Sequence, residues 1–220
     1  MKKILTAIIC IFLAAVFITG TFETSVKAES SISFTVNDLQ SLMEKGDKNF
    51  EAGNYNEAIK NYTAAIELDS DFADAYNSRG VTYLMNGDTA NAIKDFNQAI
   101  NLNPSFGMAY ANRGQAYVEK GEAAKALADF NKAIEVDPTC TLAYNNRGAF
   151  YLNTNDDEKA FADFNKAIQL EPTYAQAYNN RGAIYGNNGD LAKAKADFQK
   201  ALELDPHNQD AASNLAKLPQ

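Results

Sequence analysis

The chain has 220 residues, of which 46% are hydrophobic, and a formal net charge of -8 at pH 7. This composition excludes a disordered chain and suits one domain of ordinary size with a substantial core. An acidic chain repels phosphate backbones, so nucleic acid is excluded as the expected partner.

The N-terminal segment has the pattern of an export signal. Lys2 and Lys3 precede an uncharged, mostly apolar run at residues 4–18, which is short for a membrane-spanning helix of about 20 residues. A polar stretch then ends in Val26-Lys27-Ala28, with small or short side chains where signal peptidase requires them. Residues 1–28 are therefore predicted to be a signal peptide that is cleaved after Ala28.

Two alternatives remain for this segment. Gly20 to Phe22 could lengthen the apolar run, in which case the segment is an uncleaved membrane anchor. A lipoprotein at Cys10 is disfavoured because Ile8 and Ile9 precede it where a small residue is expected. A cleaved signal peptide and an uncleaved anchor both place the rest of the chain outside the cytoplasm, in the periplasm or secreted.

After a polar lead-in at residues 29–38, the sequence repeats itself with a period of 34 residues. A second series keeps the same step, with alanine, phenylalanine and alanine at matching positions, and a proline closes each unit. The repeated blocks are AYNSRGVTY from Ala75, AYANRGQAY from Ala109, AYNNRGAFY from Ala143 and AYNNRGAIY from Ala177; the closing prolines are Pro104, Pro138, Pro172 and Pro206.

This pattern resembles the tetratricopeptide repeat (TPR) family, whose unit is a 34-residue helix-turn-helix. We number each repeat from 1 to 34, with Ala73 at position 1 of the second repeat. The resemblance implies an all-α fold, an α-solenoid in which the units stack as a right-handed superhelix. Five repeats are expected at 39–72, 73–106, 107–140, 141–174 and 175–208, with a capping helix at 209–220.

Three recurring positions carry structural predictions. Glycine at position 8 lies between two aromatic residues on one helix face, which predicts close helix packing, with the alanine at position 20 as its neighbour. Position 15 is glycine except for Asn155, which predicts a left-handed residue in a tight turn. Arginine at position 7 and aspartate at position 23 are predicted to form a structural ion pair, within or across repeats.

The sequence offers no candidate for catalysis, so the chain is predicted not to be an enzyme, with no cofactor, metal or small-molecule substrate. His207 follows Pro206 in a terminal turn, without a second ligand placed beside it. Apart from Cys10, Cys140 is alone, so a processed chain has no partner for an intramolecular disulfide. The acidic residues are interpreted as a solvated surface.

Positions 2, 5, 6 and 9 of the first helices form a stripe opposite the packing face. In the TPR family this stripe lines a concave groove that holds peptides or partner helices. Here it lacks Lys and Arg, unlike the family members that hold a C-terminal carboxylate. The predicted groove residues are Asn77, Asn112, Asn145, Asn146, Asn179, Asn180, Met108, Gln115, Leu142 and Gln176.

Asn112, Asn146 and Asn180 recur at position 6, in a series similar to that of the O-linked sugar transferases. An amide both donates and accepts, so such a series can pair with a peptide backbone of any sequence. The alternative is that asparagine is simply a common solvated residue there.

The sequence therefore predicts a non-catalytic scaffold of the cell envelope, or a secreted one, that binds a protein or peptide segment. The alternative is a self-assembling, homo-oligomeric TPR protein, and membrane contact is expected only through an uncleaved N-terminal segment.

Overall fold

The computed structural model describes the backbone of residues 22–219 and the side chains of residues 37–219. Most of the predicted signal peptide, residues 1–21, lies outside the described residues. Every regular element in the described range is a helix. The helices are α1 (Phe22–Glu51), α2 (Tyr55–Leu68), α3 (Ala73–Met85), α4 (Thr89–Leu102), α5 (Gly107–Glu119), α6 (Ala123–Val136), α7 (Thr141–Asn153), α8 (Asp157–Leu170), α9 (Ala175–Asn187), α10 (Leu191–Leu204) and α11 (Gln209–Lys217).

The contacts divide the chain into two units, residues 1–41 and residues 42–220. The described part of the first unit, residues 22–41, is helical. The polar lead-in at residues 29–38 is therefore part of α1, although the sequence analysis started the first repeat helix only near Leu39. No glycine or proline occurs between residues 22 and 45, so nothing in the local sequence ends a helix there.

In the second unit the helices pair as antiparallel hairpins, and the turn of each hairpin needs a left-handed residue. Gly53, Gly87, Gly121 and Gly189 have φ between 73° and 81°. Asn155 occupies the same position in the fourth repeat with φ of 60°, and it is the one other residue with positive φ in the described chain. Asparagine is the side chain that best tolerates this conformation, so the prediction for position 15 is confirmed.

The second helix of each repeat ends in an extended residue that leads to the next repeat. Asn103 precedes Pro104 and has φ -133° and ψ 91°. Asp69 precedes Ser70 instead, yet its φ of -140° and ψ of 99° are almost the same. Proline at position 32 favours this link but is not required for it, because the first repeat makes the link without one.

The glycine at position 8 packs most closely against an aromatic ring, and the alanine at position 20, its predicted neighbour, is a more distant contact, as Ala126 O lies 3.2 Å from a Cβ built on Gly114. A Cβ built on Gly148 would lie 2.7 Å from Cε1 of Phe164, at position 24 of the same repeat. A Cβ built on Gly182 would likewise lie 2.7 Å from Cε1 of Phe198. The alanines at position 20 are fully buried nearby, but the ring occupies the space that the missing side chain leaves.

The predicted ion pair between positions 7 and 23 is confirmed, and it forms within each of the four regular repeats. Arg147 donates through Nε to Asp163 Oδ2 and through Nη2 to Asp163 Oδ1, both at 2.8 Å. Its third contact runs from Nη1 to Oδ1 of Asn131 in the preceding repeat, at 2.8 Å. The same pair recurs as Arg79–Asp95, Arg113–Asp129 and Arg181–Asp197.

Three of these guanidinium groups lie over two tyrosine rings each, and that of Arg113 lies over one. The Cζ of Arg147 is 5.7 Å from the ring centre of Tyr144 and 5.9 Å from that of Tyr151. A bidentate, partly buried arginine holds its carboxylate in one geometry and gains from the ring faces below it. The arginine therefore joins both helices of its own repeat to the second helix of the repeat before it.

Candidate partner-binding groove

The first helices of neighbouring repeats pack against one another, α3 with α5, α5 with α7, α7 with α9 and α9 with the capping helix α11. They form one layer of the second unit, and the second helices form the other. Positions 2, 5, 6 and 9 of α3, α5, α7 and α9 lie in this first-helix layer. We call this surface the first-helix face; the predicted groove residues all lie on it.

The face contains both exposed and buried members. Met108, at position 2 of α5, is 48% exposed, and Leu142 at the same position of α7 is half-buried against the core. Gln115 and Gln176 are half-buried. Asn145 and Asn179, both at position 5, are only 5% and 4% exposed. These two asparagines are therefore the buried members of the first-helix face, and their amides are bonded to other side chains of the chain.

The asparagine amides of the last two repeats and the capping helix form a directed chain of hydrogen bonds. Asn214 of α11 donates to Asn179 at 3.0 Å, and Asn179 donates to Asn180 beside it at 3.4 Å. Asn180 donates to Asn145 at 3.0 Å, and Asn145 donates to Asn146 at 3.3 Å. We call these five residues the amide chain; it connects three successive first-layer helices through side chains alone.

A separate pair lies further towards the N-terminus. Asn112 at position 6 of α5 donates to Asn77 at position 5 of α3, at 2.9 Å. This bond has the same form as the one from Asn180 to Asn145, in which the amide at position 6 donates to the amide at position 5 of the preceding repeat. The two networks do not join, because position 5 of α5 is Ala111, which has no amide.

The three asparagines at position 6 therefore differ in their contacts. Asn112 and Asn180 use their NH₂ groups to hold the preceding repeat, and Asn180 also accepts a bond from Gln176 at 3.3 Å. Asn146 accepts from Asn145 but donates to no protein group. Binding by these residues stays a prediction, and their structural role in joining repeats was missed.

The arginines at position 7 of the first helices are held in ion pairs away from this face. The hydrogen bonds that Arg147 donates to Asp163 raise the pKa of Arg147 more than burial lowers it. Arg79 and Arg181 behave in the same way with Asp95 and Asp197. These arginines are therefore permanently charged and already neutralised, which leaves the face itself rich in amides and poor in free cations.

Cys140 and His207 are of residue types that often take part in catalysis or metal binding. Cys140 is buried, and burial raises the pKa of its thiol, so the reactive thiolate is suppressed. His207 is exposed in the turn before α11. The described part of the chain contains no group of His, Cys, Asp or Glu side chains arranged to hold a metal ion. Of the helices in that part, none is both long and apolar enough to cross a membrane.

Repeated antiparallel helix pairs, each closed by a left-handed turn and joined through its first helix to the next, define an α-solenoid. Two models of the TPR family match the chain. One, described as TPR repeat, matches residues 46–87 and 151–189; the other, described as tetratricopeptide repeat, matches residues 73–106, 108–140 and 175–208. Together they cover well over half of the chain, which therefore belongs to the TPR family. Proteins of this family generally act as scaffolds for protein–protein interactions.

Solved structures share this fold over most of their length, whereas no curated protein matches the chain in sequence. TTC0263, a thermophilic TPR protein of Thermus thermophilus, has 24% identity and a TM-score of 0.73, covering 82% of this chain and 98% of its own. MamA has 27% identity and a TM-score of 0.55, covering 73% and 94%. YrrB, described as a TPR protein with an unusual peptide-binding site, has 23% identity and a TM-score of 0.50, covering 84% and 95%.

Proposed function

We propose that the chain is a non-catalytic scaffold that binds an extended segment of a partner protein along the first-helix face. The observation that carries this proposal is the chemistry of the face. It offers asparagine and glutamine amides next to exposed Met108 and half-buried Leu142, and the arginines at the neighbouring position 7 are already paired. Amides match a peptide backbone, and apolar side chains match those of the partner.

The alternative surfaces fit a partner less well. The second helices present mostly solvated charges, such as the exposed pairs Lys132–Glu135 and Lys200–Glu203. Exposed pairs of this kind contribute little to binding, because water solvates them well in the free state. YrrB supports the proposal only in that the same fold can carry a peptide-binding site.

Site-specific photocrosslinking in cells tests the proposal. A photoreactive amino acid replaces Met108 on the first-helix face, and a control variant carries it at Lys195, an exposed residue of the second helix α10. We expect a discrete adduct from position 108 and none from position 195. Equal adducts from both positions contradict the proposal. An adduct with the mass of two copies of this chain supports the self-assembly alternative instead, and light scattering of the purified protein checks it.

We further propose that this scaffold acts outside the cytoplasm. The basis is the N-terminal pattern, Lys2-Lys3, the apolar run and the Val26-Lys27-Ala28 ending. N-terminal sequencing of the exported protein should begin at Glu29. A membrane fraction that retains Met1 supports the uncleaved anchor, and a cytoplasmic protein that retains Met1 contradicts export.

A further inference from the structure

The hydrogen bonds of the amide chain all run in one direction. Between helices, Asn214 donates to Asn179 and Asn180 donates to Asn145, each at 3.0 Å. Within a helix, Asn179 donates to Asn180 at 3.4 Å, and Asn145 donates to Asn146 at 3.3 Å. Each of the three interior amides therefore turns its oxygen towards the capping helix α11 and its NH₂ group towards Asn146.

Two of the interior amides have almost no access to water. Asn145 is 5% exposed and Asn179 is 4% exposed. If one of them alone turned its amide by 180°, it would place oxygen against oxygen on one side and NH₂ against NH₂ on the other. Water could not replace the two lost bonds, and an unsatisfied buried amide is costly. The interior amides therefore keep one common direction or reverse together.

The ends of the amide chain are less constrained than its interior. Asn214 and Asn146 are each partly exposed, so water satisfies whichever amide atom points outwards. The chain has one side branch, in which the half-buried Gln176 donates to Asn180 at 3.3 Å, and the amide of this glutamine can turn with the chain. Two common directions are thus open to the chain, and the groups at its two ends decide between them.

We infer that Asn214 of the capping helix sets the direction of the amide chain, and thereby which atom Asn146 turns outwards two first-layer helices away. In the observed direction the NH₂ group of Asn146 is left over, so a donor faces solvent. In the reversed direction its oxygen is left over, so an acceptor faces solvent. Asn214 is a positioning residue, because it acts on Asn146 only through the amides between them.

This coupling goes beyond the proposed function, because it lies within the chain and holds whether or not the first-helix face binds a partner. It links two places on the solenoid, the capping helix and the fourth repeat, through a two-state element that both ends bias. Coupling between two sites is reciprocal, so a change at Asn146 also acts on Asn214.

The separate pair of Asn112 and Asn77 supplies a comparison within the same protein. Its bond of 2.9 Å joins two neighbouring first-layer helices in the same way. Ala111, at position 5 of the helix that carries Asn112, has no amide to link that residue to Asn146. A change at Asn214 should therefore alter Asn146 and leave Asn112 as it is.

The same substitution made at each end tests the direction. An ionised aspartate accepts hydrogen bonds but donates none, and a partly exposed carboxyl is ionised at pH 7. Asn146→Asp fits the observed direction, because this residue only accepts from the chain. Asn214→Asp opposes it, because the bond to Asn179 needs a donor. We expect the interior amides to reverse in Asn214→Asp and to keep their direction in Asn146→Asp.

Hydrogen exchange of the asparagine side-chain NH₂ groups, followed by NMR in the full chain in mild detergent at pH 7, reports the direction. In Asn214→Asp the NH₂ group of Asn146 becomes the donor to Asn145. It should then exchange roughly 2- to 13-fold more slowly than in wild type, the ratio for one hydrogen bond. In Asn146→Asp the NH₂ group of Asn214 should keep its wild-type rate, and Asn112 should be unchanged in both variants.

Two controls separate a relay through the amides from a general effect of charge, and urea unfolding checks that each variant is folded. Ser213→Asp adds the same charge to the exposed residue beside Asn214 and should leave the rate at Asn146 unchanged. Asn180→Ala removes the middle of the amide chain, so adding Asn214→Asp to it should no longer slow exchange at Asn146. The double variant with aspartate at both ends should lose more stability than the sum of the two single changes, because neither direction then suits both ends.

Slower exchange at Asn146 in Asn214→Asp that disappears in the Asn180→Ala background supports the relay. An unchanged rate at Asn146 overturns it, even where Asn179 responds, because the interior amides then turn singly. An equal effect of Ser213→Asp, or an effect that survives Asn180→Ala, also overturns it. Faster exchange at Asn214 in Asn146→Asp, with no effect of Asn214→Asp on Asn146, overturns the assigned direction.

Discussion

Two glycines one turn apart in α9 should respond oppositely to the same substitution. An alanine Cβ at Gly182 would lie 2.7 Å from Cε1 and 2.9 Å from Cδ1 of Phe198, well inside van der Waals contact. At Gly186 the nearest atom would be Cβ of Ala194, at 3.8 Å, which is an ordinary contact. Phe198 is only 2% exposed, so its ring cannot move aside into solvent.

The expected magnitudes follow from these distances. Alanine in place of a helical glycine favours folding by about 1 kcal/mol, because glycine loses more backbone entropy. Gly186→Ala keeps this gain and should be more stable by roughly 0.5–1 kcal/mol. In Gly182→Ala the gain is offset by overpacking, which costs about 1–3 kcal/mol. The two variants should therefore differ by roughly 1–3 kcal/mol.

Urea unfolding gives the free energies, and hydrogen exchange locates the change. Exchange in Gly182→Ala should increase mainly in α9 and α10, because each repeat touches only its neighbours. Phe198→Leu should rescue part of the loss when combined with Gly182→Ala, which a double-mutant cycle measures. Equal shifts in the two glycine variants, or no rescue, would refute the view that the ring of position 24 dictates glycine at position 8.

Three more predictions concern single side chains. Asp163→Ala leaves Arg147 without its bidentate partner and should lower the unfolding free energy by about 1.5–3 kcal/mol, whereas Glu135→Ala, in an exposed pair, should change it by less than about 0.5 kcal/mol in the same urea titration. Cys140 should resist alkylation at pH 7.5 until urea opens the repeats, because its pKa is raised by burial; rapid labelling of the native protein, mapped by mass spectrometry, would contradict this. Glu122 accepts from Lys120 and Lys125, which lower its pKa from 4.5 to about 2. These contacts favour the carboxylate above pH 4.5 and are lost as the pH falls towards 2, so an NMR titration of the Glu122 side-chain carboxyl should have its midpoint well below 4.5; a midpoint at 4.5 would contradict the two lysine contacts.

Features that depend on local backbone conformation or on one helix pair were predictable from the sequence. The left-handed turn at position 15 follows from glycine and its substitute Asn155, because few other residues tolerate positive φ. The pairing of Arg147 with Asp163 follows from their recurrence in every regular repeat, since opposite charges at fixed spacing in one hairpin seldom lie apart. These inferences need only the helical period and the repeat length.

Contacts across repeats were not predictable in the same way. Helical periodicity shows that Asn145 and Asn146 share the first-helix layer, but it does not give the rotation of one repeat against the next. That rotation buries Asn145 and Asn179, and it places the side-chain amide of Asn180 where it donates a hydrogen bond to Asn145. The one feature of the sequence that could have predicted these bonds is the 35-residue spacing between an asparagine at position 5 of one repeat and an asparagine at position 6 of the next.

The 34-residue period alone determined the helix-turn-helix units, their turns and their family resemblance, because these depend on residues close together in the chain. Only the tertiary structure decided that the glycine of position 8 faces a phenylalanine ring, since periodicity within a helix carries no distance to the helix beside it. It also decided which asparagine amides are paired and which are open. Hydrogen bonds require both distance and direction, and both are set by the way that one repeat stacks on the next.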